Sequence, residues 1–210
     1  SDESGDCNLF TRKLADLLAE RGVEFHYDTR IERLETAGDR ISRVVTDQGE
    51  VKADLYVVST GVYAPHLVRP LGISLPIYPV KGYSVTLPIE GSNLAPTHTG
   101  VDENNLVAYS RFGDRLRLTA TAEFAGYDTS HKPSDFATML KAAKDLFPQG
   151  GNYDKPHYWA GLRPMTPENT PIISPTRYGN LFVNAGQGHM GWTMSCGSAK
   201  VLADLVASAT

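Results

Sequence analysis

Two stretches of this sequence combine residue types and spacings that could do chemistry. In Gly186-Gln-Gly188-His189-Met190-Gly191, three glycines follow the apolar run Leu181-Phe-Val-Asn184. The residues after them, through about Val206, have helical apolar spacing, with Met194, Val201, Leu202 and Leu205 as buried candidates. A glycine turn between strand and helix aims backbone N–H groups and the positive helix end at one point, which stabilises an anion. The letters match the dinucleotide fingerprint, but that motif opens a βαβ unit with an acidic residue about 20 positions on. Here no further strand follows the helix, so the turn is not expected to hold an adenosine diphosphate. A reduced flavin, negative around N1 and O2, is another anion that such a turn would suit. A turn used only for close packing would carry the same glycines.

The second stretch, Ala160-Gly-Leu-Arg163-Pro-Met-Thr-Pro-Glu-Asn-Thr-Pro171, sets one arginine among three prolines and a glycine. A stiff loop of this kind would fix a guanidinium, whose planar fork makes two charge-assisted bonds to a carboxylate. An arginine that ties loop carbonyls together fits the same spacing. Tyr83, Tyr109 and Tyr127 could reach a ligand from strands, although strand tyrosines commonly serve packing. Arg117 and Glu123 share a strand face by parity and are expected to pair. The six histidines show no metal-ligand spacing and no Ser or Cys lies in a nucleophile motif, so no metal and no acyl-transfer chemistry is expected. Cys196, inside the last helix, is expected to be a small buried residue.

The elements that must position these residues are legible. Asp6 can cap a helix carrying Leu9, Phe10, Leu14, Leu17 and Leu18, with Gly22 at its carboxyl end. Short runs at 31–36, 40–46 and 50–53, separated by Ala37-Gly-Asp39 and Asp47-Gln-Gly49, predict an antiparallel meander. The continuous apolar run from Asp54 to Thr60-Gly61 reads as a buried parallel strand, at whose carboxyl end ligands collect. Prolines punctuate 65–88, a crossing into a second layer or domain. Strands are expected at 78–87, 106–112, 116–124 and 153–161. A helix is expected between the last two, with Ser134 as cap, Phe136, Met139, Leu140, Ala143 and Phe147 on one face, and Pro148 as its stop.

Composition narrows the function class. The 210 residues carry 20 Lys and Arg against 24 Asp and Glu, a net charge of -4 without basic runs, so no nucleic-acid footprint is present. No apolar stretch approaches the roughly 18 residues of a membrane-spanning helix, which leaves peripheral association as the only membrane contact expected. Two distant cysteines, Cys7 and Cys196, form no disulfide framework, so a cytoplasmic location is the default. The chain opens Ser1-Asp-Glu-Ser4 with neither an initiator Met nor a signal peptide, and is expected to be a segment of something longer.

Five motifs in order, Gly5-Asp-Cys-Asn-Leu-Phe-Thr11, Tyr78-Pro-Val-Lys-Gly-Tyr-Ser84, Asp145-Leu-Phe-Pro148, Gly161-Leu-Arg-Pro-Met-Thr-Pro167 and Gly191-Trp-Thr-Met-Ser-Cys-Gly-Ser198, span nearly the whole chain. Together they resemble the FAD-binding small subunits of bacterial D-amino-acid dehydrogenases, a branch of the D-amino-acid oxidase-like family that also includes glycine and sarcosine oxidases. The resemblance implies an α/β fold, α+β in its inserted part: a partial, Rossmann-like FAD-binding domain at 1–64 and 166–210, lacking the amino-terminal glycine-loop unit. An antiparallel-sheet substrate domain would be inserted at 65–165.

Carried over by residue, the resemblance implies that Ile31 meets the adenine with its backbone and that Thr60-Gly61 passes close to the cofactor phosphates. Arg163 would hold the substrate carboxylate, and Gly186, Gly188, His189, Met190, Gly191, Trp192 and Thr193 would wrap the flavin N1 and O2. His189 stands where some amine oxidases have an arginine. No cysteine lies near Arg163, so the FAD is expected to be non-covalent. The implied activity is oxidative deamination of a D-amino acid, with a quinone or other electron acceptor, peripheral contact with the cytoplasmic face of the inner membrane, and assembly as a homo-oligomer. A glycine or sarcosine oxidase using oxygen is the alternative enzyme. As an isolated piece, the chain is expected to be inactive, a binding module at most, because unpaired sheet edges and missing phosphate contacts would weaken FAD binding.

Overall fold

A computed structural model describes residues 5–209, so the opening Ser1–Ser4 lies outside the described residues. The chain divides into two compact units. One comprises the residues up to Leu18 and Val80–Leu162, and the other comprises Ala19–Pro79 and Arg163 onward. The divisions fall at 18/19, 79/80 and 162/163, where the resemblance implied 64/65 and 165/166, and the first helix begins in the sheet-rich unit.

In that unit, α1 (Cys7–Glu20) starts where Asp6 accepts the Leu9 N–H at 3.1 Å, and the chain leaves it through Gly22 at φ +88°. The apolar side chains of Leu9, Phe10, Leu14 and Leu17 are 40% to 50% exposed. A five-stranded sheet has the order β6-β7-β8-β5-β9. Its strands are β5 (Tyr78–Pro88), β6 (Gly100–Asp102), β7 (Val107–Phe112), β8 (Arg115–Glu123) and β9 (His157–Met165). Strand β9 begins later than the expected residue 153. The strands alternate side chains between faces. One face, with Val85, Leu87, Leu116, Leu118 and Ala160, packs with Phe136 and Met139 of the helical segment into a closed core. That segment is a 3-10 turn, Pro133–Phe136, leading into α3 (Ala137–Leu146), named here after the short α2 (Ala64–Val68). The cap is not Ser134: the Asp135 carboxylate turns back to accept the Lys132 N–H at 2.9 Å.

The other unit holds two three-stranded sheets. In the first, β1 (Ile31–Ala37), β2 (Arg40–Thr46) and β3 (Gly49–Val51) form the antiparallel meander, in that order. In the second, β11 (Leu181–Ala185) pairs in parallel with β4 (Tyr56–Val58) and antiparallel with β10 (Ile172–Pro175), a strand too short and proline-bound to show in the pattern. Leu181, Phe182, Val183 and Ala185 of β11 are at most 3% exposed, as a strand covered on both faces requires. Helix α4 (Gly191–Ala207) packs on β10 and β11 through one narrow side. Two expectations for it are corrected: Val201 is 48% exposed and Cys196 is exposed, because only Ser198 of this helix is fully buried. Among the described residues no helix is long and apolar enough to cross a membrane.

Candidate functional site

The glycine turn lies at the carboxyl end of β11. Gly186 and Gly188 take φ of +83° and +57°, conformations costly for any residue with a Cβ. Space is as restrictive as angle: a Cβ on Gly186 would come within 2.8 Å of the Thr166 methyl, and one on Gly188 within 3.0 Å of the Met165 sulfur. Gly188 N–H donates to the Pro164 carbonyl at 3.0 Å. The turn is thus clamped to the segment that follows Arg163. Thr166, 7% exposed, is itself held by donating to the Thr170 carbonyl at 2.9 Å.

Beyond the turn, α4 begins after Met190 with no side-chain cap, so its positive end is left to whatever lies against it. His189, Met190, Trp192 and Thr193 are exposed around this point, Met190 by 43% and Trp192 by 40%. Because β4 runs parallel to β11, its carboxyl end lies at the same edge. There Thr60 is followed by Gly61 at φ +54°. The Thr60 hydroxyl oxygen is buried and has no hydrogen-bond partner, a state that costs about 1–3 kcal/mol unless something supplies the bond. Ile31 opens β1, in the other sheet of the same unit, and is 40% exposed.

These residues fit a flavin dinucleotide on chemical grounds. An orphaned hydroxyl, a glycine cradle that a side chain would fill and an uncapped helix end occur at the carboxyl edge of adjacent parallel strands, where anionic cofactors are held. Arg163, at the end of β9, is half-buried, and burial pulls its guanidinium below the ordinary pKa. It is followed by Pro164, whose carbonyl anchors Gly188, so the same backbone fixes the arginine and the turn.

Tyr83 and Tyr109 are placed in the layer between the five-stranded sheet and α3. Tyr83 is 5% exposed and its hydroxyl donates to the Glu123 carboxylate. That bond, together with burial, pushes the phenol pKa up. The Tyr109 ring packs edge-on against Phe147 with centroids 4.8 Å apart. Lys81, 2% exposed, donates to the Ser130 carbonyl at 2.5 Å and lies 3.7 Å from Glu123. Burial opposes its charge, but Tyr83, Glu123 and Asp128 hold its pKa above the ordinary value. An open cleft of about 730 Å³ adjoins this cluster, lined by Lys81, Tyr83, Glu123, Asp128, His131 and Lys132.

The expected pairing of Arg117 with Glu123 does not form. Thr121, at φ +68°, lies within a register shift between β5 and β8, and the extra residue turns Glu123 toward Lys81 and Tyr83. Pattern reading also missed Asn180. Its buried side chain accepts the Ile41 N–H at 2.7 Å and donates to the Ile41 carbonyl at 2.9 Å, joining the meander to the parallel pair. The available signal was a polar residue directly before the apolar run Leu181-Phe-Val183.

Comparison with known proteins agrees with this architecture. Residues 1–205 match the family model described as FAD dependent oxidoreductase. The D-amino acid dehydrogenase of Methylobacterium radiotolerans is 53% identical over 206 residues, 98% of this chain and 49% of that protein. The one from Vibrio cholerae is 51% identical over 205 residues, again 98% and 49%. The chain thus spans about half the length of the curated relatives it matches. Among solved structures, glycine oxidase from Geobacillus kaustophilus superposes with a TM-score of 0.79 at 26% identity, over 94% of this chain and 53% of that one. Iminodiacetate oxidase from Chelativorans sp. BNC1 gives a TM-score of 0.83 at 21% identity over 96% and 55%, a likeness of fold. With its glycine turn, parallel strand pair and antiparallel sheet, the chain belongs to the family of FAD-dependent oxidoreductases.

Proposed function

We propose that this chain is part of a flavoprotein that oxidatively deaminates D-amino acids to 2-oxo acids and ammonia. The observation that carries this reading is the identity of 51% to 53% with D-amino acid dehydrogenases along 98% of the chain. FAD, held without a covalent bond, supplies the acceptor for the hydride that leaves the substrate Cα. Every other contribution comes from positioning and charge. The Arg163 guanidinium takes the substrate carboxylate in a two-pronged, charge-assisted contact, strengthened by its partial burial. Pro164 and Pro167 limit the motion of that arginine.

In this reading the turn from Gly186 to Thr193, with the uncapped end of α4, would stabilise the negative charge that the flavin gains on reduction, while Thr60 and Gly61 would hold phosphate and Ile31 the adenine. Water hydrolyses the resulting imino acid to the 2-oxo acid, and the two electrons pass to a quinone or another acceptor. No helix among the described residues is long and apolar enough to cross a membrane, and peripheral attachment to a membrane and assembly as a homo-oligomer belong to this reading.

A second reading, a glycine or sarcosine type of oxidase that reduces oxygen, is favoured by the likeness to glycine oxidase. Anaerobic addition of D-alanine, L-alanine, glycine or sarcosine to the full-length flavoprotein separates the two. Bleaching of the visible flavin band by D-alanine is the expected result. Bleaching by glycine or sarcosine instead supports the oxidase, and bleaching by none refutes both.

A further inference from the structure

The face of the five-stranded sheet turned away from α3 is polar where the strands adjoin. Arg117 lies on it, with Thr86 of β5 on one side in register and Ser110 of β7 on the other. The guanidinium is held at two points. Its Nε donates to the Ser84 hydroxyl at 2.8 Å, and Ser84 is itself 2% exposed, so the anchor is a buried side chain. Its Cζ lies over the Trp159 indole, 5.5 Å from the ring centroid and within cation–π reach. Trp159 is 50% exposed and lies across Gly161, where any Cβ would overlap the indole ring.

Among the described residues, no carboxylate lies within ion-pair distance of Arg117, whereas Arg33, Arg43 and Arg115 each have one at 2.5 to 3.2 Å. The residue that parity assigns to it, Glu123, is committed to Tyr83 and Lys81. A guanidinium held by a cation–π contact and by one nitrogen keeps its other N–H groups for an acceptor, and part of the side-chain freedom that binding would cost is already lost. Ser84, Thr86 and Ser110 surround it with hydroxyls and no anion.

We propose that Arg117, seated on Ser84 and Trp159, is a carboxylate-binding residue of the substrate sheet. The proposal rests on the reading of the protein as an amino-acid-oxidising flavoenzyme. The carboxylate is the α-carboxylate common to all substrates, or the side-chain carboxylate of an acidic amino acid. The two sources separate by comparing each acid with its amide.

The test is made in the full-length flavoprotein with Arg117→Met and Arg117→Lys. Two ratios of kcat/KM are read: D-alanine over D-alaninamide, and D-glutamate over D-glutamine. Arg117→Met is expected to lower at least one ratio tenfold or more, equivalent to about 1.4 kcal/mol, with partial recovery in Arg117→Lys. Loss in the D-alanine ratio alone identifies the α-carboxylate, and loss in the D-glutamate ratio alone identifies the side-chain carboxylate. A merely structural arginine would change acid and amide alike, so unchanged ratios overturn the proposal. An arm independent of turnover uses phenylglyoxal, with modification of Arg117 followed by peptide mass. Propionate or glutarate should slow it at least threefold relative to the corresponding amide, and equal rates overturn the proposal even if the wild-type protein oxidises no D-amino acid.

Discussion

Replacing Gly186 by Ala tests the flavin turn directly. At φ +83° the new residue would occupy left-handed backbone at a cost of about 1–2 kcal/mol. Its Cβ would lie 2.8 Å from the Thr166 methyl, well inside an ordinary contact of about 3.5–4.0 Å. Thr166 cannot yield freely, because it is buried and tied to the Thr170 carbonyl. Overpacking of this kind costs about 1–3 kcal/mol, so the native turn becomes about 2–5 kcal/mol less favourable in the variant. If FAD binds the native turn, its Kd rises at least about 25-fold.

The assay is reconstitution of full-length apoprotein with FAD, titrated below the unfolding temperature of each variant. Thr166→Ser separates the two costs, since it removes the methyl while keeping the hydroxyl that donates to Thr170. The double variant Gly186→Ala, Thr166→Ser should regain the overlap cost and retain the backbone cost, leaving Kd between the single variant and wild type. An affinity for FAD within threefold of wild type in Gly186→Ala would show that this turn does not shape the cofactor site.

Arg163→Ala in the full-length enzyme should lower kcat/KM for a D-amino acid by at least about two decades, from the lost charge-assisted contact and the lost orientation. Less than a threefold change in steady-state kinetics would remove Arg163 from the substrate site. Asn180→Ala strands the buried N–H and carbonyl of Ile41, each worth about 1–3 kcal/mol, so the urea midpoint should fall and amide exchange across Arg40–Thr46 should quicken. Unchanged exchange in that strand would show that the clamp carries no stability. For α1, the Leu9 N–H and Arg115 hold the Asp6 carboxyl below its ordinary pKa of 3.8. The charged cap therefore stabilises fully above that value and is lost as pH falls through the lowered pKa. Amide protection in residues 7–20, corrected for the intrinsic pH dependence of exchange, should be flat above about pH 5 and fall at lower pH, and Asp6→Asn should remove that acid-dependent step.

Local chemistry made much of this molecule legible before any coordinates. Asp6 and Gly22 bound α1, and Gly38 and Gly49 allow the turns of the meander. The apolar run of β11 followed by glycines announced the strand, turn and helix that form the candidate site. These features depend on residues within a few positions of one another, where spacing and allowed backbone angles suffice. Arg163 and the glycine turn could be singled out for the same reason, by residue type and neighbours.

Partners distant in sequence were not legible, because contact depends on where the chain returns. Parity paired Arg117 with Glu123, yet the irregularity at Thr121 turned Glu123 toward Tyr83 and left Arg117 on the opposite face with Ser84 and Trp159. Asn180 reads locally as a turn residue, and its work is done on Ile41, 139 positions away. The apolar residues of α1 and Val201 of α4 announce amphipathic faces, but periodicity says which side a residue takes and not whether anything covers it. Close approach of Thr166 to Gly186 likewise arises only when two segments fold together. That packing, rather than any motif, makes glycine obligatory at the turn.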